Sequence, residues 1–219
     1  TTAAITAWCA RALAGRGPGP VGMRSPSELF RPVPALRAIA DTAELILDEV
    51  RVPVSNTIGQ VGKGFQQQMS QFQDERLMGA YMATSGARRA LERTAEYLKV
   101  RHAFGEPLMN NQYLRFKLAE LAAELDMLKH YNYSAAERYA AGQDVTQMAT
   151  IAKYKTGKLA REVADIAVQY HGGMGYAEEY DVSRYFVDAR VLSIFEGADE
   201  TLCLKVIAKK LVADATATA

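Results

Sequence analysis

Six of the seven prolines in this chain stand before Gly64, and only Pro107 follows it. A proline removes a backbone donor and clashes with the preceding helical turn, so its near absence leaves the rest of the chain free to run in long helices. Ala, Leu, Glu, Gln, Lys and Arg, all good helix formers, fill that stretch. Helices are expected over 65–101, 112–141, 145–171, 182–190 and 199–213. In the second of these, Leu118, Leu121, Leu125 and Leu128 recur at intervals of three and four, with Glu120, Glu124 and Lys129 off the stripe. One face packs and the other is wet. Short links such as Gly142-Gln143-Asp144 make successive helices antiparallel. The fold class is therefore mainly α, an up-and-down bundle of at least three long helices plus a fourth.

Before Gly64 the character is different. Residues 15–34 are dense in Gly, Pro, Ser and Arg, which excludes a continuous helix or a central strand. Residues 43–53 are β-branched and end at Pro53, which suggests one or two short strands that need a sheet to join. Two domains are expected: an irregular segment over 1–60 with a β remnant, and a helical bundle over 61–219.

At 219 residues and 49% hydrophobic composition the chain can bury a sizeable core. Its 26 basic and 25 acidic residues are scattered, with no basic block to follow a phosphate backbone. Nucleic acid is not an expected partner. Cys9 and Cys203 lie far apart, and His102, His130 and His171 have no metal-ligand spacing, so no metal site is expected. The opening residues lack a basic n-region before an apolar core, and no apolar run reaches the roughly 20 residues that span a bilayer. The expected location is cytoplasmic, or the mitochondrial matrix in a eukaryote.

Two short stretches could carry chemistry. Gly172, Gly173 and Gly175 end the third helix, where glycines permit left-handed dihedrals or close backbone approach; an ordinary helix C-cap explains them equally well. They follow a helix, whereas a dinucleotide fingerprint follows a strand. Arg101, beside the Gly105 loop, could bind a pyrophosphate or merely complement a helix dipole.

Three motifs in order resolve these alternatives by resemblance. They are Arg101-x-x-Phe104-Gly105-x-Pro107-Leu108-x-x-x-Gln112, Gln169-x-His171-Gly172-Gly173-x-Gly175-Tyr176, and Asp188-x-Arg190-x-x-x-Ile194-Phe195-Glu196-Gly197. Together they resemble the carboxy-terminal domain of the acyl-CoA dehydrogenases, and the similarity runs from about Asp41 to Leu211. Phe72-Gln73-Asp74-Glu75-Arg76-Leu77 and Gly197-Ala198-Asp199-Glu200 resemble the citronellyl-CoA and long-chain branch.

The resemblance implies FAD as cofactor, with Arg101, Phe104 and Gln112 reaching the flavin of a neighbouring subunit and Gln169, Gly172 and Gly173 contacting its ADP half. It implies an acyl-CoA substrate near Arg76 and Gly197, an electron-transfer flavoprotein or similar acceptor, and a homo-oligomer built as a dimer of dimers. The reaction implied is α,β-dehydrogenation of an acyl-CoA thioester to the trans-2-enoyl-CoA. Most of the family has its base at the position of Glu196; the isovaleryl, long-chain and citronellyl types have it at that of Glu75, usually with glycine at 196. Here both acids are present, and like-charge repulsion between them would raise one pKa. Glu196 is placed ahead as the base. For Glu75 and Arg76, an ordinary charged pair along a helix is the alternative.

Ala198 replaces a common threonine and Val187 a frequent arginine. The amino-terminal domain and the flavin-covering loop of the middle domain have no counterpart in the sequence. A second reading is accordingly a non-catalytic helical oligomerisation subunit. A third is a flavin-free helical enzyme that uses Glu75 and Glu196 as acid and base.

Overall fold

A computed structural model of the chain describes residues 51–217. The chain divides into two compact units, 1–67 and 68–219. In the described part of the first, a single 3-10 turn, Val54–Asn56, precedes the start of helix α1, and the side chains are exposed. Of the strands expected over 43–53, most lies outside the described residues; Arg51 to Pro53 carry no regular structure.

The second unit is built on three long helices: α1 (Gly64–Val100), α2 (Gln112–Ala140) and α3 (Thr146–His171). Their ends fall within a residue or two of the expected ones. In α1 the buried positions Leu77, Ala80, Thr84, Ala87, Leu91, Thr94 and Leu98 advance by three or four, and the alanines among them permit close approach of neighbouring helices. Asn111 starts α2 by accepting hydrogen bonds from the backbone N–H groups of Tyr113 and Leu114. The expected leucine stripe is observed, with Leu118, Leu121 and Leu125 buried and Glu120, Glu124 and Lys129 exposed. Helix α3 lies between α2 and α5 (Asp181–Val191), which explains why it is buried around much of its circumference. Leu98, Leu121, Leu125, Leu159, Val163 and Leu192 form the centre of the core.

Among the described residues the core holds one fully buried side-chain amide. Asn132 donates to the Thr84 hydroxyl at 3.0 Å and to the Ala80 carbonyl at 3.4 Å, tying α2 to α1. Asn132→Ala would remove both bonds and leave a void, and is expected to lower the unfolding free energy by about 1–3 kcal/mol in urea titrations.

Between α1 and α2 the expected loop is a minimal hairpin of β1 (His102–Ala103) and β2 (Glu106–Pro107), with His102 opposite Pro107 and Ala103 opposite Glu106. After α3 come the single turn α4 (Gly173–Tyr176) and then α5. The last expected helix, 199–213, is not continuous. It consists of α6 (Asp199–Leu202), a π-helical turn over Cys203–Ile207, and α7 (Ala208–Ala217). One wider turn leaves the apolar spacing nearly intact, so side-chain pattern does not reveal it.

Candidate active site

Helix α5 ends in a turn that carries the chain back across α1 and α3. Glu196 and Gly197 make the reversal with φ of 56° and 107°, a region glycine tolerates and glutamate adopts only under constraint. The constraint comes from two cations on consecutive carbonyls. Arg76 Nε donates to the Glu196 carbonyl at 3.2 Å, and Lys153 Nζ donates to the Gly197 carbonyl at 2.7 Å. Lys153 is 2% exposed, lies 3.6 Å from the Asp199 carboxylate and stands over the Phe195 ring. Asp199 opens α6, where the N-terminal backbone amides favour its charge, and Arg161 reaches it at 4.0 Å.

Two glycines let the turn lie this close. A Cβ on Gly157 of α3 would stand 2.9 Å from the Leu192 carbonyl oxygen, and one on Gly79 of α1 would stand 3.2 Å from the Phe195 ring. Gly157→Ala should therefore displace the turn that carries Glu196. A loss of about 1–3 kcal/mol by urea titration is expected, as for other overpacked contacts.

Arg76 spends its second donor on the Thr150 hydroxyl at 3.3 Å and lies over the Phe72 ring. The bond to Glu196 crosses the fold, so the local charged pair along the helix does not describe it. Glu75, the preceding residue, is not a solvated surface acid either. Both its carboxyl oxygens and one of Glu196 are buried without a protein hydrogen-bond partner. Burial, followed by the adjacent Glu196 carboxyl and the charge of Asp74, pushes the Glu75 pKa up to about 8, against a weaker downward pull from Arg76.

The consequence for stability has a definite sign. Below the ordinary value of 4.5, Glu75 is protonated in both folded and unfolded chains; between there and about 8 only the folded chain holds the proton. Stability from this group is thus complete at low pH and is lost as pH rises through about 8. Glu75→Gln should flatten that slope in urea titrations across the same range. Unchanged pH dependence would contradict the assignment.

The other site residues gather at the opposite end of the bundle. Glu75 and Val100 are separated by 25 residues of unbroken helix, a rise of about 37 Å. Beyond Val100, Arg101 is exposed and its backbone carbonyl accepts from Leu108 N–H at 2.8 Å. Phe104, at the hairpin tip, has φ of 54° and a fully exposed ring, and Gly105 follows with φ of 88°. Two consecutive positive φ values match the turn that fits a two-residue hairpin, in which Phe104 is the unusual occupant.

Gln112 starts α2 and Gln169 lies in the last turn of α3; both are exposed. The ends of α1 and α3 are joined by Tyr97, which stacks on His171 at 4.2 Å and donates to its carbonyl at 3.3 Å. His171 is itself a satisfied core residue, its Nδ1 at 2.7 Å from the Ala167 carbonyl. Gly172 caps α3 with φ of 59°, and a Cβ on Gly172 or Gly173 would meet nothing within 4 Å. An exposed guanidinium, two exposed amides and an open glycine turn suit a diphosphate-bearing ligand.

The profile of the acyl-CoA dehydrogenase C-terminal domain matches residues 62–212. The chain belongs to the acyl-CoA dehydrogenase family. It is 37% identical over 174 residues to the long-chain specific mitochondrial acyl-CoA dehydrogenase of Sus scrofa, covering 80% of this chain and 40% of that one. It is 38% identical over 161 residues to the short-chain specific enzyme of Megasphaera elsdenii, covering 74% and 42% respectively.

The solved butyryl-CoA dehydrogenase from Megasphaera elsdenii superposes with a TM-score of 0.73 at 36% identity, over 76% of this chain and 43% of that one. The acyl-CoA dehydrogenase from Geobacillus kaustophilus gives 0.72 at 35% identity, over 75% and 43%. The chain thus spans about two fifths of the length of the relatives it matches. Among its described residues no helix is long and apolar enough to cross a membrane.

The structure brings Glu75, Arg76, Glu196 and Gly197 together and keeps Arg101, Phe104, Gln112, Gln169, Gly172 and Gly173 apart from them. Sequence reasoning missed Lys153, Thr150 and Asp199. Lys153 had a signal: it lies four residues after Ala149 and three before Thr156, on the buried stripe of α3. A lysine on such a stripe marks a buried cation that needs a partner.

Proposed function

We propose that residues 61–219 form the carboxy-terminal helical domain of a flavin-dependent acyl-CoA dehydrogenase that converts an acyl-CoA thioester to the trans-2-enoyl-CoA. The observation that carries this reading is the burial of the Glu75 and Glu196 carboxyls at one half-buried site, Glu75 on α1 beside Arg76 and Glu196 on the turn whose carbonyls Arg76 and Lys153 hold. A carboxylate there, shielded by Phe195 and α1, is placed to remove an acidified α-proton. Arg76 and Gly197 border the site proposed for the thioester, and a Cβ at 197 would stand 2.9 Å from the Leu202 side chain and 3.8 Å from the Arg76 guanidinium, so glycine lets the turn pack closely there.

Bound FAD would supply the oxidant, accepting the β-hydrogen as hydride. The residues suited to its diphosphate and adenine are Arg101, Phe104, Gln112, Gln169, Gly172 and Gly173, at the far end of the bundle. One dinucleotide cannot span from there to Glu196 within a single chain. A second copy must bring its far end to the first copy's glutamates, which supports a homo-oligomer. The exposed Phe104 ring at a strained hairpin tip suits such a reach. An electron-transfer flavoprotein or similar acceptor would reoxidise the flavin, and the cytoplasm or the mitochondrial matrix would house the reaction.

Complementation tests the two-copy arrangement. Glu196→Gln and Arg101→Ala proteins should each lack dehydrogenase activity, and co-assembly should restore it, because each mixed pair contains one site with both residues intact. Failure of the co-assembled protein to recover would mean that the two residues serve from the same copy.

A further inference from the structure

Glu75 enters the site from α1 and Glu196 from the turn after α5, so two independent elements bring two acids together. Three of their four carboxyl oxygens are buried and receive no hydrogen bond from the protein. The nearby cations are engaged elsewhere. Arg76 donates to the Glu196 carbonyl and the Thr150 hydroxyl, and Lys153 donates to the Gly197 carbonyl and pairs with Asp199.

Charge balance then limits the pair. Arg76 and Lys153 contribute two positive charges and Asp199 one negative, while Arg161, 4.0 Å from Asp199, is 43% exposed and screened by water, so a single carboxylate charge on the two glutamates makes the buried cluster neutral. A second would be an uncompensated charge in a half-buried site, with Asp74 next to Glu75 adding repulsion. Asp74 is itself engaged by the Tyr139 hydroxyl from α2. A proton held by one acid and donated to the other satisfies two of the orphaned oxygens at once and removes the repulsion.

We propose that Glu75 and Glu196 hold one proton between them, which makes Glu75 the positioning acid that orients Glu196 as the base. The assignment deepens the reading of Glu196 as the base and rests on it. During turnover the α C–H bond breaks, its electron pair enters the new C=C bond and its proton joins the Glu196 carboxylate, while the β-hydrogen leaves as hydride to the flavin. The glutamate pair then carries two protons, one of which passes to water before the next cycle. Both family positions for the base are thereby occupied without two charges competing in one site.

The test needs no turnover, so its failure is separable from failure of the functional reading. Glutamate carboxyl carbons labelled with carbon-13 would be followed by NMR through a pH titration of the wild type, Glu75→Gln and Glu196→Gly. Glycine suits the left-handed backbone at 196 and glutamine is isosteric at 75, so both variants are compatible with the fold.

The wild type should show one carboxyl titrating near 8, and Glu75→Gln should lose that signal. Glu196→Gly should lower its midpoint by about one pH unit or more, because the acceptor and the like charge are both gone. An unchanged midpoint in Glu196→Gly would show that burial alone protonates Glu75, overturning the shared proton. A wild type with no protonated glutamate at neutral pH would overturn it as well.

Discussion

On the proposed function, Glu196→Gln is expected to reduce kcat of the flavin-loaded protein by about 10²–10⁴-fold, the usual contribution of a positioned general base. KM for acyl-CoA should move by no more than a few-fold. The substitution keeps the side-chain shape and leaves the backbone carbonyl that Arg76 holds, so it removes only proton acceptance. Stopped-flow measurement of flavin reduction by a saturated acyl-CoA would isolate this step from product release. The same experiment on Glu75→Gln distinguishes the two acids: a reduction rate retained there identifies Glu196 as the acceptor. If Glu75→Gln instead suffered the larger loss and Glu196→Gln were nearly unaffected, the roles would be reversed.

The second large effect concerns stability. Lys153→Met should lower the unfolding free energy by about 3 kcal/mol, read as a reduced urea midpoint at unchanged slope. Methionine fills most of the volume, so the loss is chiefly electrostatic. Asp199 would keep only Arg161 at 4.0 Å, and the Gly197 carbonyl would lose its donor at 2.7 Å. Lys153→Met, Asp199→Asn and the double variant form a cycle that separates the pair from its context. A double variant as stable as either single one would show strong coupling; additive losses would show that Lys153 acts mainly through Gly197.

The helical architecture was legible because it depends on local rules that survive in a single sequence. Absence of proline, apolar positions at intervals of three and four, and the glycines that follow the third helix mark α1, α2 and α3 to within a residue or two. The π turn over Cys203–Ile207 and the hairpin at Phe104 were not legible, for a shared reason. Each is a backbone choice that composition barely constrains, and a phenylalanine with φ of 54° opposes its own local preference.

The site was legible in part. The motif around Glu196 and the pair Glu75-Arg76 could be singled out, yet their union depends on tertiary contacts. Gly79 and Gly157 look like mild helix weaknesses in sequence; only the packed structure shows that they admit Phe195 and the Leu192 carbonyl. Likewise the formal charge of only +1 on the chain concealed a buried cluster in which Lys153 and Asp199 balance across two elements.

The most direct measurement is an anaerobic titration of the flavin-loaded protein with a saturated acyl-CoA, following flavin absorbance and product together. Loss of the oxidised-flavin spectrum with one trans-2-enoyl-CoA formed per flavin reduced is the predicted result. A protein that binds both FAD and acyl-CoA, yet leaves the flavin oxidised and forms no enoyl-CoA, would contradict the account.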